Sequence, residues 1–96
     1  MPKATRKDDC CTGHDGCPPV GLDTASENVF INSKKAGRET DKYVSHGCII
    51  HPSHQDFIKK GSSTVFINSL PAGRVDDPVD LAGSVRDGSD NVFIGG

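Results

Sequence analysis

One short pattern recurs through this chain of 96 residues and constrains its fold more than any other feature. Residues 27–38 read Glu-Asn-Val-Phe-Ile-Asn-Ser-Lys-Lys-Ala-Gly-Arg, and residues 63–74 read Ser-Thr-Val-Phe-Ile-Asn-Ser-Leu-Pro-Ala-Gly-Arg. A shorter third copy, Asp-Asn-Val-Phe-Ile-Gly-Gly, occupies residues 90–96. Such self-similarity predicts three related structural units within one chain.

Each copy of the repeat predicts a β-strand. Val-Phe-Ile is β-branched, aromatic and β-branched, and its alternation places valine and isoleucine on one face and phenylalanine on the other. Asn-Ser after the first two triplets predicts a hairpin turn because asparagine tolerates positive φ, and Ala-Gly-Arg then begins the return strand. Three hairpin-like units predict an all-β domain with pseudo-threefold symmetry, which the third copy closes.

The rest of the chain shows no long helical pattern. Residues 55–60 suit at most one turn of helix, which Gly61 would end. Residues 1–11 are charged and lack periodicity, so we interpret them as an extended arm that leads to the first histidine and cysteine cluster. Residues 1–96 are expected to form a single domain.

Histidine and cysteine fall in two clusters. The later cluster holds four such residues within ten positions: His46, Cys48, His51 and His54. The earlier one contains His14 and Cys17, and Pro18-Pro19 behind it fixes φ at two successive positions. Imidazole and thiolate suit tetrahedral Zn²⁺, so the two clusters together predict one structural metal site. The alternative is a set of ordinary polar loop residues near a buried thiol.

Composition favours such a metal and excludes some partners. Only 33% of the residues are hydrophobic and tryptophan is absent, so the core is thin and a metal would help to stabilise it. A net charge of −2 gives no basic surface for nucleic acid. No signal peptide or membrane-spanning run is evident, so we expect synthesis in the cytoplasm, where cysteines stay reduced and bind metal rather than form disulfides.

Several segments resemble one known family. Residues 65–78, Val-Phe-Ile-Asn-Ser-Leu-Pro-Ala-Gly-Arg-Val-Asp-Asp-Pro, resemble the core motif of the proline-alanine-alanine-arginine (PAAR) repeat proteins. Residues 12–19, 46–66 and 91–96 resemble further parts of that pattern in the same order. The chain departs from the family pattern at Ser33, Ser69, Gly73 and Asp76. It also lacks the proline of the pattern in residues 34–38.

The resemblance implies a small, pointed, mostly β cone that caps a trimeric β-helical spike in a contractile tail-like machine, either a phage tail or a type VI secretion apparatus. Three repeats in one chain fit one copy per spike trimer. It further implies assembly at the spike tip, transient contact with the target cell envelope, and one Zn²⁺ held by three histidines and a cysteine. The matching residues are His14, His46, Cys48 and His54. Cys17 is the competing thiolate, and His51, which lacks a family counterpart, is the alternative imidazole.

The alternative function is a small zinc-binding module with hydrolase or metal-adaptor activity. A catalytic zinc keeps three protein ligands and one water, usually with a carboxylate as general base, and Asp15 and Asp56 lie near the ligands in sequence. A chain of this length leaves little room for a substrate pocket. We therefore expect no enzymatic activity, and four protein ligands on the metal would exclude it.

Overall fold

The structure is a computed structural model that describes residues 1–13, 17–48, 51–80 and 82–96, with the backbone alone for residues 46–48 and 51–53. Six short strands follow one another: β1 (Phe30–Ile31), β2 (Lys34–Lys35), β3 (His46–Cys48), β4 (His51–His54), β5 (Phe66–Ile67) and β6 (Leu70–Pro71). They pair antiparallel as β1–β2, β3–β4 and β5–β6. The described residues contain no helix, in agreement with the predicted all-β class.

The first two copies of the repeat form the predicted hairpins. Phe30 pairs with Lys35 across β1–β2, and Phe66 pairs with Pro71 across β5–β6. Both turns place two successive residues in the left-handed region: Asn32 (φ 54°), Ser33 (φ 67°), Asn68 (φ 54°) and Ser69 (φ 67°). Two positive φ values define a type I′ turn, whose twist matches that of the flanking strands. The return strands begin two residues before the predicted Ala-Gly-Arg.

The third copy of the repeat pairs with the beginning of the chain. Phe93 forms an antiparallel bridge with Lys3. The Ala4 amide donates to the Val92 carbonyl at 3.0 Å. The same bond recurs at 2.9 Å in both hairpins, from Ala36 to Val29 and from Ala72 to Val65. The interpretation of residues 1–11 as a separate arm is therefore wrong, because their first part is the return strand of the third unit.

These pairings define three repeat units: unit 1 (residues 26–41), unit 2 (residues 62–77) and unit 3 (residues 89–96 together with residues 1–9). A buried serine Oγ opens each unit by accepting the amide of the valine three residues later, and these pairs are Ser26–Val29 (3.0 Å), Ser62–Val65 (3.0 Å) and Ser89–Val92 (2.9 Å). The side-chain oxygen satisfies amides that would otherwise lack partners at the start of the strand.

An arginine–aspartate pair closes each unit. The carboxylate accepts from both the backbone amide and the guanidinium of the arginine three residues earlier, and the ion pairs are Arg6–Asp9 (3.0 Å), Arg38–Asp41 (2.9 Å) and Arg74–Asp77 (2.9 Å). The residue before each aspartate has positive φ: Asp8 (75°), Thr40 (76°) and Asp76 (76°). The repeat therefore extends well beyond Val-Phe-Ile, from Ser-x-x-Val to Arg-x-x-Asp.

Three backbone hydrogen bonds join the units in a closed ring. Gly37 donates to Thr5 at 2.9 Å, Thr5 to Gly73 at 3.1 Å, and Gly73 to Gly37 at 2.9 Å. The middle of the ring is crowded, since a Cβ atom on Gly37 would lie 2.8 Å from Thr5 Cγ2. Each unit is thereby bonded to both of the others.

Two apolar clusters contact this ring. The isoleucine–alanine cluster takes two residues from each unit: Ala4, Ala36, Ala72, Ile31, Ile67 and Ile94. The Tyr43 cluster contains Cys11, Leu22, Tyr43, Ile58, Val79 and Val85. The alanines directly precede the ring residues in sequence, and a Cβ on Gly37 would lie 2.7 Å from Leu22 Cδ2. The ring therefore lies between the two clusters, in a molecule that measures 36 × 24 × 22 Å.

Burial follows the predicted alternation along each Val-Phe-Ile triplet. The three isoleucines are 7–9% exposed. The three phenylalanines are exposed on the other face: Phe30 (55%), Phe66 (57%) and Phe93 (47%). Val29 and Val92 pack partly against the isoleucine–alanine cluster, whereas Val65 is more exposed. No helix in the described part of the chain has the length and apolar character needed to cross a bilayer.

Candidate metal centre

The strand pair β3–β4 brings the later histidine and cysteine cluster together at the level of the backbone. His46 lies opposite His54 and Cys48 lies opposite His51, with an irregularity in register between His46 and Cys48. Residues directly opposite in an antiparallel pair have Cβ atoms about 4.5–5.5 Å apart. The pairing therefore places the backbones of three predicted ligands in one two-stranded sheet.

Most of the predicted ligand side chains lie outside the described part of the structure. His14 and Asp15 are outside it entirely, as are the side chains of His46, Cys48 and His51. Among the side chains that are described, no three of His, Cys, Asp and Glu gather as a metal-binding group. The four-ligand site therefore stays a prediction, and His54 is the one proposed ligand whose surroundings are visible.

His54 is oriented by a buried carboxylate. Its Nδ1 lies 2.9 Å from Oδ1 of Asp56, whose side chain is 0% exposed, while the His54 side chain is 20% exposed. A carboxylate at this distance from Nδ1 favours the tautomer that carries the proton on Nδ1 and leaves Nε2 as the ligating nitrogen, an arrangement common around protein-bound zinc. The described side chain therefore fits the predicted role of a zinc ligand.

The segment that carries His54 and Asp56 is attached to Tyr43. The Tyr43 amide donates to the Asp56 carbonyl at 2.8 Å, and Gln55 Nε2 donates to the Tyr43 carbonyl at 3.3 Å. Tyr43 is fully buried, and burial raises the pKa of its hydroxyl well above the usual range. Its hydroxyl has no hydrogen-bond partner in the described residues. The segment that carries His54 and Asp56 is thus attached to the Tyr43 cluster.

The cysteines divide into two kinds. Cys10 and Cys11 are free, and burial together with the nearby Asp87 carboxylate raises the pKa of the Cys10 thiol. Cys17 is buried and disulfide-bonded. The expectation that the cysteines remain reduced is therefore wrong for Cys17, because spatial proximity, which sequence spacing does not reveal, decides whether a disulfide can form. In this state Cys17 is not a thiolate ligand.

The arrangement around Asp56 does not suit hydrolysis. A general base must reach the water that it activates, but the Asp56 carboxylate is fully buried and faces His54. A cleft does exist beside unit 3, and its lining includes Lys3, Arg6, Asp9, Asp76, Arg86 and Asp87. None of the described residues that line it is a histidine. The described residues therefore lend no support to a catalytic zinc.

Two features that recur with the hairpins were not predicted from the sequence. Ser26, Ser62 and Ser89 precede the three valines at a constant spacing, and Arg6-x-x-Asp9 repeats the spacing seen in units 1 and 2. The signal for both is the constant spacing of these residues from each Val-Phe-Ile triplet or its return strand. No such signal predicts the contact between His54 and Asp56, because neither residue recurs in the other units.

Comparison with known proteins supports one assignment. None of the curated proteins compared with the chain matches it. The family model for the PAAR motif matches residues 14–86, a span that includes the later histidine and cysteine cluster and units 1 and 2. Since that match extends over more than half of the sequence, the chain belongs to the PAAR motif family.

Proposed function

We propose that this protein is the non-enzymatic tip of a trimeric β-helical spike in a contractile injection machine. The PAAR motif is associated with spike-tip proteins of such systems. On this proposal the chain is made in the cytoplasm, and one copy is assembled on the blunt end of each spike trimer. It is then delivered to the target cell envelope by a phage tail or a type VI secretion apparatus.

The observation that carries this proposal is the cyclic hydrogen bonding among the three units. Besides the ring of Thr5, Gly37 and Gly73, an arginine of each unit donates through Nη1 to the next unit: Arg6 to Asn32 (3.1 Å), Arg38 to Asn68 (3.0 Å) and Arg74 to the Gly95 carbonyl (3.1 Å). Such a cycle supports a pseudo-threefold axis through the chain. A single chain with that symmetry presents three similar edges to the three subunits of a spike.

The exposed phenylalanines support docking through the units rather than through the histidine end. Phe30, Phe66 and Phe93 hold equivalent places in the three units and are each about half exposed. An adjoining β-helix can add strands to the edges of such short hairpins by strand pairing. Aromatic residues buried at the centre of an interface contribute much of its binding free energy.

The opposite end is proposed to hold one structural Zn²⁺ through His14, His46, Cys48 and His54 in the fully reduced protein, since two of the four cysteines are free and Cys17 is in a disulfide. The metal would make that end pointed and stiff. The support is the donor set, the β3–β4 pairing and the Asp56 contact to His54. When bound, zinc would supply four fixed bonds between segments distant in sequence. The bond between Tyr43 and Asp56 supports a position for this end on the side of the Tyr43 cluster, whereas the three phenylalanines belong to the repeat units.

The test is to mix the purified chain with its spike and weigh the complex by mass photometry or light scattering. One chain per spike trimer is the expected result, whereas three chains per trimer, or no complex, would contradict the proposal. Replacing Phe30, Phe66 and Phe93 together with Asp should weaken binding by at least about 100-fold, since each is expected to be a binding hot spot. Val44→Asp is the matched control, because Val44 is 46% exposed near the histidine end and should not affect docking.

A further inference from the structure

Asp56 lies in the segment that follows unit 1, and the segment that follows each of the other two units has an equivalent position. Neither counterpart is charged. In each of these three segments, the second residue after the unit's closing aspartate donates its amide to a backbone carbonyl further along the segment. These bonds run from Cys11 to Val20 (3.0 Å), from Tyr43 to Asp56 (2.8 Å) and from Val79 to Gly83 (3.1 Å). Two residues later, the amides of Leu22, Ile58 and Val85 donate back to the carbonyls of Asp9, Asp41 and Asp77. Position 56 is therefore equivalent to positions 20 and 83.

This equivalence shows that the fold itself does not require a carboxylate at position 56. Val20 and Gly83 make the same backbone hydrogen bond without one. Burying an ionised carboxylate is unfavourable unless it is paired, and the Asp56 side chain is 0% exposed. The departure from the repeat thus calls for a local explanation, which the neighbouring histidine provides.

The strand geometry brings that histidine next to the carboxylate. His54 is the last residue of β4, and residues two apart on an extended chain project on the same side. The resulting 2.9 Å contact joins His54 Nδ1 to Asp56 Oδ1. The segment is held in place by the Tyr43–Asp56 bond and by the Ile58 amide, which donates to Asp41 at 3.0 Å. The backbone that carries the carboxylate is therefore held by hydrogen bonds to the buried residues Tyr43 and Asp41.

We infer that Asp56 is a positioning residue for the proposed zinc ligand His54. Its carboxylate holds the proton on His54 Nδ1 and thereby directs Nε2 to Zn²⁺. This inference rests on the zinc site proposed above. It assigns to Asp56 an electrostatic part as well as a geometric one, because the carboxylate also makes the imidazole a stronger donor to the metal. On this inference Asp56 is not itself a metal ligand.

The first experiment measures zinc affinity by competition with a chromogenic chelator for the whole chain and for Asp56→Asn. Asparagine keeps the shape but removes the charge, so affinity should fall by about 10–100-fold, the usual effect of losing such a partner. Asp77→Asn is the matched control: the Asp77 side chain is also buried, at 8% exposure, but it pairs with Arg74, and its loss should leave zinc affinity within about twofold. Equal affinities for Asp56→Asn and the parent chain would overturn the inference.

A second measurement remains decisive if Asp56→Asn fails to fold. Nitrogen-15 long-range correlation spectra of the zinc-loaded parent chain report the state of each histidine ring nitrogen. Protonated Nδ1 and metal-bound Nε2 are expected for His54, and metal-bound Nδ1 would overturn the role of Asp56 while leaving the zinc site intact. A parent chain that binds no zinc would overturn the proposed metal site and this inference together, but not the docking proposal.

Discussion

The three repeat units and the histidine-bearing segment between Tyr43 and Asp56 are built on different principles. Each unit repeats the same serine cap, the same buried isoleucine and the same arginine–aspartate pair, and closed rings of hydrogen bonds join the units. The histidine-bearing segment shares the backbone hydrogen bonds at its two ends with segments 11–20 and 79–83, but it differs from both in length and in its dense cluster of histidines. Repeated local bonds can stabilise a symmetric region without a large core, whereas a unique segment needs a unique tie, for which zinc is the proposed means.

The largest expected effect comes from breaking that unique tie. Zinc should copurify at about one equivalent, and the double variant His46→Ala/His54→Ala should lose it. Because structural zinc contributes about 10 kcal/mol or more in small zinc-binding peptides, we expect a loss of several kcal/mol in the free energy of unfolding. Hydrogen exchange should then be fast across β3–β4 and remain slow at the Ala36 and Ala72 amides.

His51→Ala is the control for this prediction, since the family resemblance assigns His51 no ligand role. Full zinc content in the double variant would exclude the site. A second check is to unfold the protein with a chelator and without reductant and then to count its free thiols. Four free thiols are expected if Cys48 serves as a thiolate, and two would mean that the disulfide at Cys17 persists.

The next largest effect is expected from truncating the buried isoleucines of the repeat units. Ile67 is 8% exposed in the isoleucine–alanine cluster, so Ile67→Ala should reduce the free energy of unfolding by about 2–5 kcal/mol. Ile31→Ala and Ile94→Ala should cost similar amounts, because the three isoleucines are equally buried. Chemical denaturation measures all three, and zinc affinity of the folded variants should not change. Strongly unequal losses would argue against equivalent units.

The arginine–aspartate pairs should contribute somewhat less. In Asp41→Ala the Arg38 guanidinium and the Arg38 amide lose their shared acceptor, which should cost about 2–3 kcal/mol, since hydrogen bonds to charged groups contribute about 1.5–3 kcal/mol. Asp77→Ala should behave alike because Arg74 makes the same bonds. Thermal and urea unfolding check this, and Glu27→Ala, which removes an exposed ion pair with Lys35, is a control expected to change little.

Tyr43 lies at the boundary between the two regions and should give a small effect of opposite sign. Its hydroxyl is buried and finds no hydrogen-bond partner in the described part of the chain. Tyr43→Phe removes that buried polar group without changing the ring, so stability should stay equal or rise by up to about 1 kcal/mol. A decrease of more than about 1 kcal/mol in the free energy of unfolding would instead reveal a hydrogen bond to the tyrosine hydroxyl.

The smallest expected effect is on the stability of the protein at acidic pH. The Arg86 guanidinium, with further help from the Cys10 amide, lowers the pKa of the Asp87 carboxyl below its usual 3.8. A lowered folded-state pKa adds stability that is present above the unfolded value and is lost as pH falls through the folded one. Between neutral pH and about pH 3, Asp87→Asn should therefore remove part of the acid sensitivity. Asp87 is 41% exposed, so the effect should stay below about 1 kcal/mol.

The hairpins and their faces were predictable because their signals are local. A Val-Phe-Ile triplet followed by Asn-Ser specifies both strand alternation and a turn of positive φ within six residues, and the structure confirms both. The clustering of histidines within ten positions likewise indicated one segment, and β3–β4 pairs their backbones. Propensity and alternation act over a few residues, so a single copy of the motif suffices to read them.

The sequence by itself thus determined the all-β class, the two turns, the buried isoleucines and the exposed phenylalanines. Only the tertiary structure decided that Ala4 completes the unit begun by Val92, that Thr5, Gly37 and Gly73 close a ring, and that Asp56 faces His54. The reason is that these contacts join chain segments whose proximity depends on how every intervening element packs. Local preferences leave such pairings open, and the folded backbone selects one of them.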